Sequence, residues 1–380
     1  MGHDTENLVG EKDLNTFKGI VLSPVNRPPE VLFQNVPIFR SKGEFDIILD
    51  PQLYFPRSDR GHLNKHPYFP EDVDTADLAS ASWWDEILER LTQYSVDLKV
   101  DAVTSPTVLP REFSPEYYDI QFGVSQGLHE RLAGSGIRVL TSLVALLPQL
   151  ANPERVLAVA SQASEHLTEG FYILFVSDVE PRRELAEEAE LLGAMTLVSE
   201  LKRTGLPIWI AYSSSDMVLF KAAGANHCAT GKFFNLRRFT KSRYEEPAEG
   251  GGQLSYWFEQ SLMAFLRGPD LARLRANGLE SLIGKQYSSN VWSQRILEVL
   301  EHGAGEPWLK YGWRQYMAWF GAAENELSSL GLPEVNEWLK SADQNWLLLD
   351  DKGVLMDDRR NDGQWVRCWR QAIQLFGRGG

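Results

Sequence analysis

The segment from residue 207 to residue 239 constrains the fold most, because its sequence has the pattern of one repeat of an α/β barrel. An apolar run at 208–211 is followed by polar residues at 213–216, and apolar residues then recur at helical spacing as far as Ala223. Gly224 ends this predicted helix, and a second short strand is predicted at 226–230. The order strand, loop, helix, strand is typical of parallel sheets, in which a helix connects each strand to the next.

The same alternation of strands and helices extends through most of the chain. We predict strands at 45–49, 98–103, 137–146, 170–176, 207–211 and 226–230, and helices at 83–94, 116–132, 153–167, 183–204 and 216–223. Two helix starts are marked by a capping residue before a proline, namely Ser114 before Pro115 and Asn152 before Pro153. The even spacing favours a TIM-like (β/α)8 barrel, an α/β fold that brings functional loops together at the carboxyl ends of its strands.

Composition divides the 380 residues into three regions. Residues 1–43 are punctuated by prolines and are expected to form an N-terminal arm that lies extended on the main domain. Residues 44–289 are assigned to the barrel, which a helix at 253–266 would complete after a charged, glycine-rich loop at 245–252. Residues 290–380 are expected to form a helical C-terminal domain, whose eight tryptophans either pack a small core or present faces that stack on bases.

The composition also limits the classes of partner and cofactor. A net charge of −14 argues against a protein that coats nucleic acid indiscriminately, although it leaves room for a local cationic groove. The two cysteines, Cys228 and Cys368, are too far apart to suggest a disulfide framework or a cysteine-rich zinc site. The sequence has no phosphate-binding loop, dinucleotide fingerprint, nucleophile elbow or HExxH helix, so no cofactor and no metal are expected. With neither a secretory leader nor a membrane segment in the sequence, we expect a cytoplasmic location.

Three carboxylates occupy positions where a barrel carries its chemistry. Asp50 follows the strand at 45–49, Asp178 follows the strand at 170–176, and Asp216 follows the strand at 207–211. Burial at the end of a strand can hold such a group near a useful pKa, and paired carboxylates suit the acid-base chemistry of glycosidic bonds. Two of them also have a structural interpretation, because Asp50 can cap the turn at Pro51 and Asp216 can cap the following helix.

A basic loop follows the last predicted strand. It contains Lys232, Arg237, Arg238, Lys241 and Arg243 without an intervening acid, so it would give an acidic protein a place for an anion. The substrate-binding residues that we predict at the same barrel mouth are Gln52, Tyr54, Ser105, Ser177, Lys232, Arg237 and Arg238.

Three segments of the chain resemble one known superfamily. The acid-bearing strand IILDPQ, the strand and helix IAYSSSDMVLFKAAGAN and the following basic loop resemble the barrel of the tRNA-guanine transglycosylases, over about residues 44–244. That superfamily includes DNA-directed branches, namely deazaguanine-inserting enzymes and anti-phage DNA glycosylases that remove glucosylated hydroxymethylcytosine. The resemblance implies that Asp50 works near the base, because an acidic group at the comparable position does so in the tRNA enzymes.

Two departures from that superfamily change the expected reaction. Its cysteine-rich zinc site is absent from this sequence, and no acid occupies the place of its aspartate nucleophile, where Asn226 is followed by His227, Cys228 and Ala229. Base exchange needs a covalent sugar intermediate and therefore a carboxylate nucleophile, so water is the expected acceptor here.

The resemblance then implies a monofunctional DNA glycosylase of antiviral defence, with phage DNA as its partner. Such an enzyme flips a modified base out of the helix, hydrolyses the N-glycosidic bond and leaves an abasic site. Asp50 would activate water or stabilise the sugar cation, and Asp178 would accept a hydrogen bond from an exocyclic amine.

Three alternatives stay open at this point. The chain can be a transglycosylase that exchanges bases in tRNA or DNA, if another carboxylate serves as nucleophile. It can be a different barrel enzyme that acts on a small phosphorylated metabolite, with the basic loop holding the phosphate. It can also be a scaffold without catalytic activity. A groove of positive potential that continues across the C-terminal domain would favour DNA over a small metabolite.

Overall fold

The computed structural model of the chain describes residues 5–8, 10–14, 16–56, 61–71, 73, 77–110, 113–239, 244, 254–302 and 307–379. Seven parallel strands form its main sheet: β1 (Gly19–Leu22), β2 (Asp46–Leu49), β3 (Ala102–Thr104), β4 (Arg138–Leu146), β5 (Phe171–Val176), β6 (Ile208–Ile210) and β7 (His227–Cys228). The helices within this part are α1 (Thr5–Leu8), α2 (Pro29–Lys42), α3 (Ala81–Leu98), α4 (Pro115–Leu132), α5 (Leu147–Leu150), α6 (Pro153–Ser164), α7 (Glu188–Lys202) and α8 (Met217–Ala222).

The C-terminal part adds a two-stranded antiparallel hairpin and five helices. The hairpin consists of β8 (Trp257–Glu259) and β9 (Ala264–Leu266), and the helices are α9 (Gly268–Ala276), α10 (Val291–His302), α11 (Leu309–Leu327), α12 (Leu332–Asp351) and α13 (Gln364–Gly379). Their apolar side chains belong to the same core cluster as those of α6, α7 and α8, and α11, α12 and α13 pack directly on α7 or α8.

The strands of the curled main sheet lie side by side in the order of the sequence, from β1 to β7. A doubly wound sheet would instead reverse its strand order at a switch point. Side chains alternate between its two faces, as strand geometry requires. Ile48, Leu140 and Tyr172 pack together on the inner face, whereas Ile47 and Phe171 lie on the outer face against the helices. The fold is therefore a mixed α/β architecture with a curled parallel sheet that resembles part of a TIM barrel.

The six strands predicted from the sequence are confirmed as β2 to β7, with shifted bounds. The predicted starts of α4 and α6 are confirmed as well, because Ser114 and Asn152 accept hydrogen bonds from the backbone N–H groups of Tyr117 and Glu154. One boundary differs because α3 continues to Leu98, which delays β3 until Ala102.

The N-terminal region is not an extended arm, contrary to the sequence prediction. β1 pairs in parallel with β2, and α2 connects these two strands as the first helix of the sheet. Prolines misled the prediction because two of them suit this helix: Pro28 occupies its N-cap and Pro29 its first turn, where no backbone hydrogen bond is lost. The prediction of a helix at 253–266 is also wrong, because the described part of this segment forms β8 and β9.

The sheet is not a closed eight-stranded barrel. Among the described residues no strand joins β7 to β1, and a cavity of about 90 Å³ lies between these edges, lined by Val21 and Ala229. Phe320 on α11 lines the same cavity. α11 can approach this closely because residue 321 is a glycine, whose Cβ would lie 2.1 Å from Thr16 Oγ1. Helix α11 therefore covers the open edge where an eighth strand would stand.

A buried lysine fixes α11 against α8. Lys221 Nζ donates to Asn226 O at 2.7 Å, to Ser328 Oγ at 2.8 Å and to Glu324 Oε1 at 3.0 Å. All three hydrogens of the ammonium group are thereby used, which offsets the cost of burying its charge. The pair Lys221 and Glu324 consequently links the sheet's last helical layer to the C-terminal helices.

Candidate functional site

Asp50 lies at the carboxyl end of β2, on the inner face of the curled sheet. Its side chain is only 1 % exposed. Asp50 Oδ1 accepts hydrogen bonds from Gln52 N at 3.0 Å and from Tyr54 Oη at 2.9 Å, and Tyr172 Oη lies 3.5 Å from Oδ2. The loop after β2 and one other strand, β5, thus contact a carboxylate at the carboxyl end of the strands, the position that the sequence predicts for it.

Two residues with left-handed backbone conformation lie beside Asp50. Gln52 and Tyr212 each have a φ of 57°, which residues other than glycine adopt rarely. Gln52 Nε2 donates to Tyr212 Oη at 3.2 Å, while Gln52 Oε1 accepts from Ser23 Oγ at 2.9 Å and from Val25 N at 3.1 Å. Strained backbone of this kind collects at binding and catalytic sites, where the surrounding contacts hold it in place. The loops after β1, β2 and β6 are therefore joined by one polar network.

Aromatic side chains cover this network. The Tyr54 ring lies 5.1 Å from the Phe239 ring and 6.0 Å from the Tyr244 ring, and the Tyr212 ring lies 5.5 Å from Phe239. Burial raises the pKa of Tyr54 well above its ordinary value, and the nearby Asp50 charge raises it further, so the phenol stays protonated as a donor. Because Asp50 is buried below these rings, a substrate reaches it only when some of them move.

The remaining predicted residues on β3 and β5 do not join Asp50. Ser105 directly follows β3, and its Oγ accepts a hydrogen bond at 2.9 Å from the backbone N–H of Ser142 in β4. It therefore extends the pairing of these two strands. Ser177 Oγ accepts from Val179 N at 3.0 Å, while Asp178 is exposed to solvent. Their predicted substrate roles rest on sequence position alone.

Asp216 belongs to a separate, buried charge cluster. Its Oδ1 accepts from Ser214 N at 2.8 Å, and its Oδ2 lies 3.7 Å from Arg238 Nη2. The same guanidinium nitrogen lies 3.7 Å from Glu184 Oε2, and Ser215 Oγ donates to Glu184 Oε1 at 2.7 Å. Asp216 occupies the N-cap position of α8, as the structural interpretation predicts, but its side chain accepts no capping hydrogen bond from that helix.

Glu184 is the member of this cluster that sequence reasoning missed. It follows β5 in a charged stretch, PRRE, which carries no motif. Burial raises its pKa to about 7, the neighbouring Asp216 raises it too, and Arg238 acts in the opposite direction. Burial likewise raises the pKa of Asp216 against the effect of Arg238. The cluster therefore holds two carboxyl groups that bind protons more readily than they do in water.

This cluster makes the stability of the fold depend on pH. Between about pH 4.5 and pH 7, Glu184 is protonated in the folded protein and ionised in the unfolded chain. The stability that Glu184 contributes is therefore present at low pH and is lost as the pH rises through 7. At 1.36 kcal/mol per pKa unit, the loss is at most about 3 kcal/mol. We expect Glu184→Gln to flatten this part of the profile and to raise stability at pH 8, as measured by urea unfolding from pH 5 to 8. Glu180→Gln, at an exposed neighbour, is the matched control, and a wild-type profile in Glu184→Gln would contradict the assignment.

The described cations of the basic loop point inward. Arg237 and Arg238 are each only 3 % exposed. The Arg237 guanidinium stacks on the Tyr316 ring at 3.5 Å from its centroid and donates to the Lys232 carbonyl at 2.8 Å, whereas Arg238 donates to the Arg183 carbonyl. Neither guanidinium is open to a phosphate, so this structure does not support the predicted phosphate contacts. Lys241, Arg243 and the loop predicted at 245–252 lie outside the described residues.

A cavity of about 440 Å³ opens at the carboxyl ends of the strands, and we call it the mouth cavity. Lys232 and Trp313 line it, with the Lys232 ammonium 4.1 Å from the Trp313 ring centroid. Val25 lines it as well, and its N–H donates to Gln52, whose own N–H donates to Asp50. Two successive hydrogen bonds thus connect the wall of the mouth cavity to the buried carboxylate.

The tryptophans of the C-terminal part mainly form core. Trp308, Trp319, Trp346, Trp365 and Trp369 are buried, and Trp292, Trp313 and Trp338 are half-buried. Several of the indole N–H groups donate to backbone carbonyls, as Trp369 does to Leu185 at 2.7 Å. The packing interpretation is therefore confirmed for the buried five, and Trp313 remains the one that lines the mouth cavity.

Two general properties of the described residues bear on function. No group of three or more His, Cys, Asp or Glu side chains in this part of the chain is arranged to hold a metal ion. None of the helices seen there has the length and apolar character that crossing a membrane requires.

Comparison with known proteins does not assign the chain to a family. Neither the models of known protein families nor the curated proteins with which the sequence was compared give a match.

Proposed function

We propose that the protein is an N-glycosyl hydrolase that acts on DNA, removing a modified base and leaving an abasic site. The observation that carries this proposal is the buried Asp50 carboxylate, which lies at the barrel mouth with Tyr54 and Tyr172 directed at it. By the sequence resemblance, the target base is glucosylated hydroxymethylcytosine of phage DNA, and the biological role is antiviral defence.

A fixed carboxylate suits the chemistry of this bond. Breaking an N-glycosidic bond places positive charge on the sugar, and a nearby carboxylate stabilises that charge or takes a proton from the attacking water. Hydrogen bonds from Gln52 N and Tyr54 Oη use one oxygen of Asp50 and fix the orientation of the group. The other oxygen, Oδ2, lies 3.5 Å from Tyr172 Oη and is the atom that we assign to water or to the sugar.

Hydrolysis is favoured over base exchange by the residues around β7. β7 consists of His227 and Cys228, and the next residue, Ala229, donates its N–H to Ile210 O at 2.8 Å. An alanine cannot form the covalent sugar intermediate that exchange requires, so the sugar is expected to react with water. Asp216 is a poor replacement nucleophile, because it is buried against Arg238 in a separate cluster.

A small phosphorylated metabolite is the second candidate substrate. One specific observation favours it: the mouth cavity of about 440 Å³, which Lys232 lines, is the size of a small-molecule site. A nucleotide would offer the same N-glycosidic bond as DNA, without the need to open a duplex.

Mass spectrometry of released bases tests the proposal. The protein is incubated separately with DNA that contains glucosylated hydroxymethylcytosine, with plain DNA, with tRNA and with a mixture of nucleotides. We expect a free base from the modified DNA and none from plain DNA. Release from nucleotides alone would establish the second candidate, and release from none of the four would contradict N-glycosyl hydrolysis.

A further inference from the structure

A second cavity adjoins the mouth cavity on the side of the C-terminal helices. It has a volume of about 550 Å³ and lies between the loop after β5, the hairpin of β8 and β9, and the turn that precedes α13. Glu180, Arg182, Phe234 and Tyr256 line both cavities. The two cavities are therefore parts of one continuous depression, which runs from the barrel mouth across the C-terminal part.

Three arginines in this depression have side chains without a partner among the described residues. Arg182, Arg359 and Arg360 line it and are exposed, and within the described ranges none of their side chains forms an ion pair or hydrogen bond. Two other arginines of the second cavity are already neutralised, because Arg267 pairs with Asp357 and Arg183 lies 3.9 Å from Glu180. Seven cationic and five acidic side chains line the two cavities, so the depression carries a small positive excess in a chain with a net charge of −14.

The acids of the second cavity are engaged by the protein itself. Asp358 Oδ1 accepts from Arg360 N at 3.1 Å, and Asp362 Oδ1 accepts from Gln364 N at 3.1 Å. Asp270 Oδ2 accepts from Arg267 N at 2.8 Å, and Glu184 is held by Ser215 and Arg238. These hydrogen bonds fix the orientation of the carboxylates at turns and helix starts, although Asp358 and Asp362 remain exposed beside the arginines.

We propose that the two adjoining cavities form one groove for a polynucleotide strand, in which Arg182, Arg359 and Arg360 contact the phosphates. This inference rests on the proposed function and deepens it, because it gives the strand that flanks the target base a path away from Asp50. A strand would place successive phosphates along the path that the two cavities share, whereas a single small anion would need only one cavity. The aromatic side chains of Phe234, Tyr256 and Trp313 along the same path offer faces for base stacking.

The test measures the salt dependence of strand binding by fluorescence anisotropy. The probe is a labelled 12-nucleotide single-stranded DNA of mixed sequence that contains one glucosylated hydroxymethylcytosine, and an RNA of the corresponding unmodified sequence is the second arm. In the variant, Arg182, Arg359 and Arg360 are all changed to alanine. Each lost phosphate contact lowers the slope of log K against log salt by about 0.7, so the triple variant should lose about 2 from the slope and about 100-fold in affinity at 0.1 M salt.

A matched control removes three exposed cations from the opposite edge of the sheet. Lys18 directly precedes β1, Lys42 ends α2 before β2, and Arg203 caps α7 before β6. Changing these three to alanine alters the net charge equally and should leave both the slope and the affinity near the wild-type values. Thermal unfolding of both triple variants checks that the fold is retained, and charge reversal of Arg182, Arg359 and Arg360 to glutamate should weaken binding further.

The outcomes separate this inference from the proposed function. Equal losses in the two triple variants, or binding of pyrophosphate but not of either strand, would overturn the groove. Strand binding that depends on the three arginines, without release of any base, would support the groove and contradict the glycosylase. If the triple variant still releases base from the 12-nucleotide DNA with the wild-type KM, the result would support the glycosylase and contradict the groove.

Discussion

Asp50→Asn is expected to lower the rate of base release by about 10³-fold while leaving the protein folded. The amide keeps the volume of the carboxylate, and its oxygen can still accept from Gln52 N and Tyr54 Oη. Its nitrogen would take the place of Oδ2, where it can donate to Tyr172 Oη but can neither accept a proton from water nor stabilise a sugar cation. The substitution thus removes the proton acceptor and the negative charge but keeps the hydrogen bonds of the side chain.

The measurement is single-turnover release of base, with thermal unfolding recorded for each variant. Asp178→Asn is the matched control, because Asp178 also follows a strand of the sheet but is exposed to solvent. It should stay within a few-fold of the wild-type rate. Full activity in Asp50→Asn would remove Asp50 from the mechanism, and loss of activity in Asp178→Asn would restore Asp178 to the site that the sequence predicts for it.

Gly193→Ala is expected to destabilise the fold by about 3 kcal/mol, the largest effect on stability that we expect from one methyl group. Gly193 lies in α7, where an added Cβ would stand 1.8 Å from the carbonyl oxygen of Leu150 at the end of α5. A backbone atom cannot move aside as a flexible side chain can, so the two helices must separate.

Gly123→Ala provides the matched control for that substitution. Gly123 lies inside α4, is exposed, and has no heavy atom within 4 Å of the added Cβ. Alanine should therefore stabilise α4 by about 1 kcal/mol through its higher helix propensity. Urea unfolding of both variants measures the two effects, and equal signs would contradict the close packing of α7 on α5.

Periodicity predicted much of the sheet because its strands are buried on both faces. The apolar runs of β4 and β5 are long, continuous and separated by helical spacing, and their predicted positions are confirmed within one residue at each end. The N-caps at Ser114 and Asn152 were equally clear, since each stands before a proline at the first helical position.

Contacts between segments that are distant in the sequence could not be predicted in this way. β1 is only four residues long, and it is a strand of the sheet because it pairs with β2. The periodicity of a sequence does not indicate such pairing. The prediction of a closed barrel was wrong for a related reason: α11 packs at the open edge of the sheet, where Phe320 lines the cavity and Gly321 approaches Thr16. A local sequence pattern does not show that a helix takes the place of a strand at the edge of a sheet.

The candidate site was predictable in part for the same reasons. Asp50 was placed at the carboxyl end of β2 because it directly follows an apolar run, and strand alternation after Ile48 explains why its side chain faces inward. Arg237, by contrast, stacks on Tyr316, a residue of α11, so its burial depends on a contact that spans 79 positions in the sequence. Glu184 was missed because its environment is made by Asp216 and Arg238, which reach it from other loops.

The stoichiometry of the products tests N-glycosidic hydrolysis most directly. Free base, abasic sites and covalent enzyme–DNA adducts are counted in one reaction of the protein with DNA that contains the modified base, in the presence of labelled free base. Hydrolysis by water predicts one abasic site for each base released, no labelled base in the polymer and no adduct after borohydride reduction, since no Schiff base forms. Incorporation of labelled base, or a covalent adduct that forms at the rate of base release, would contradict hydrolysis and show that a carboxylate or an amine of this protein acts as a nucleophile.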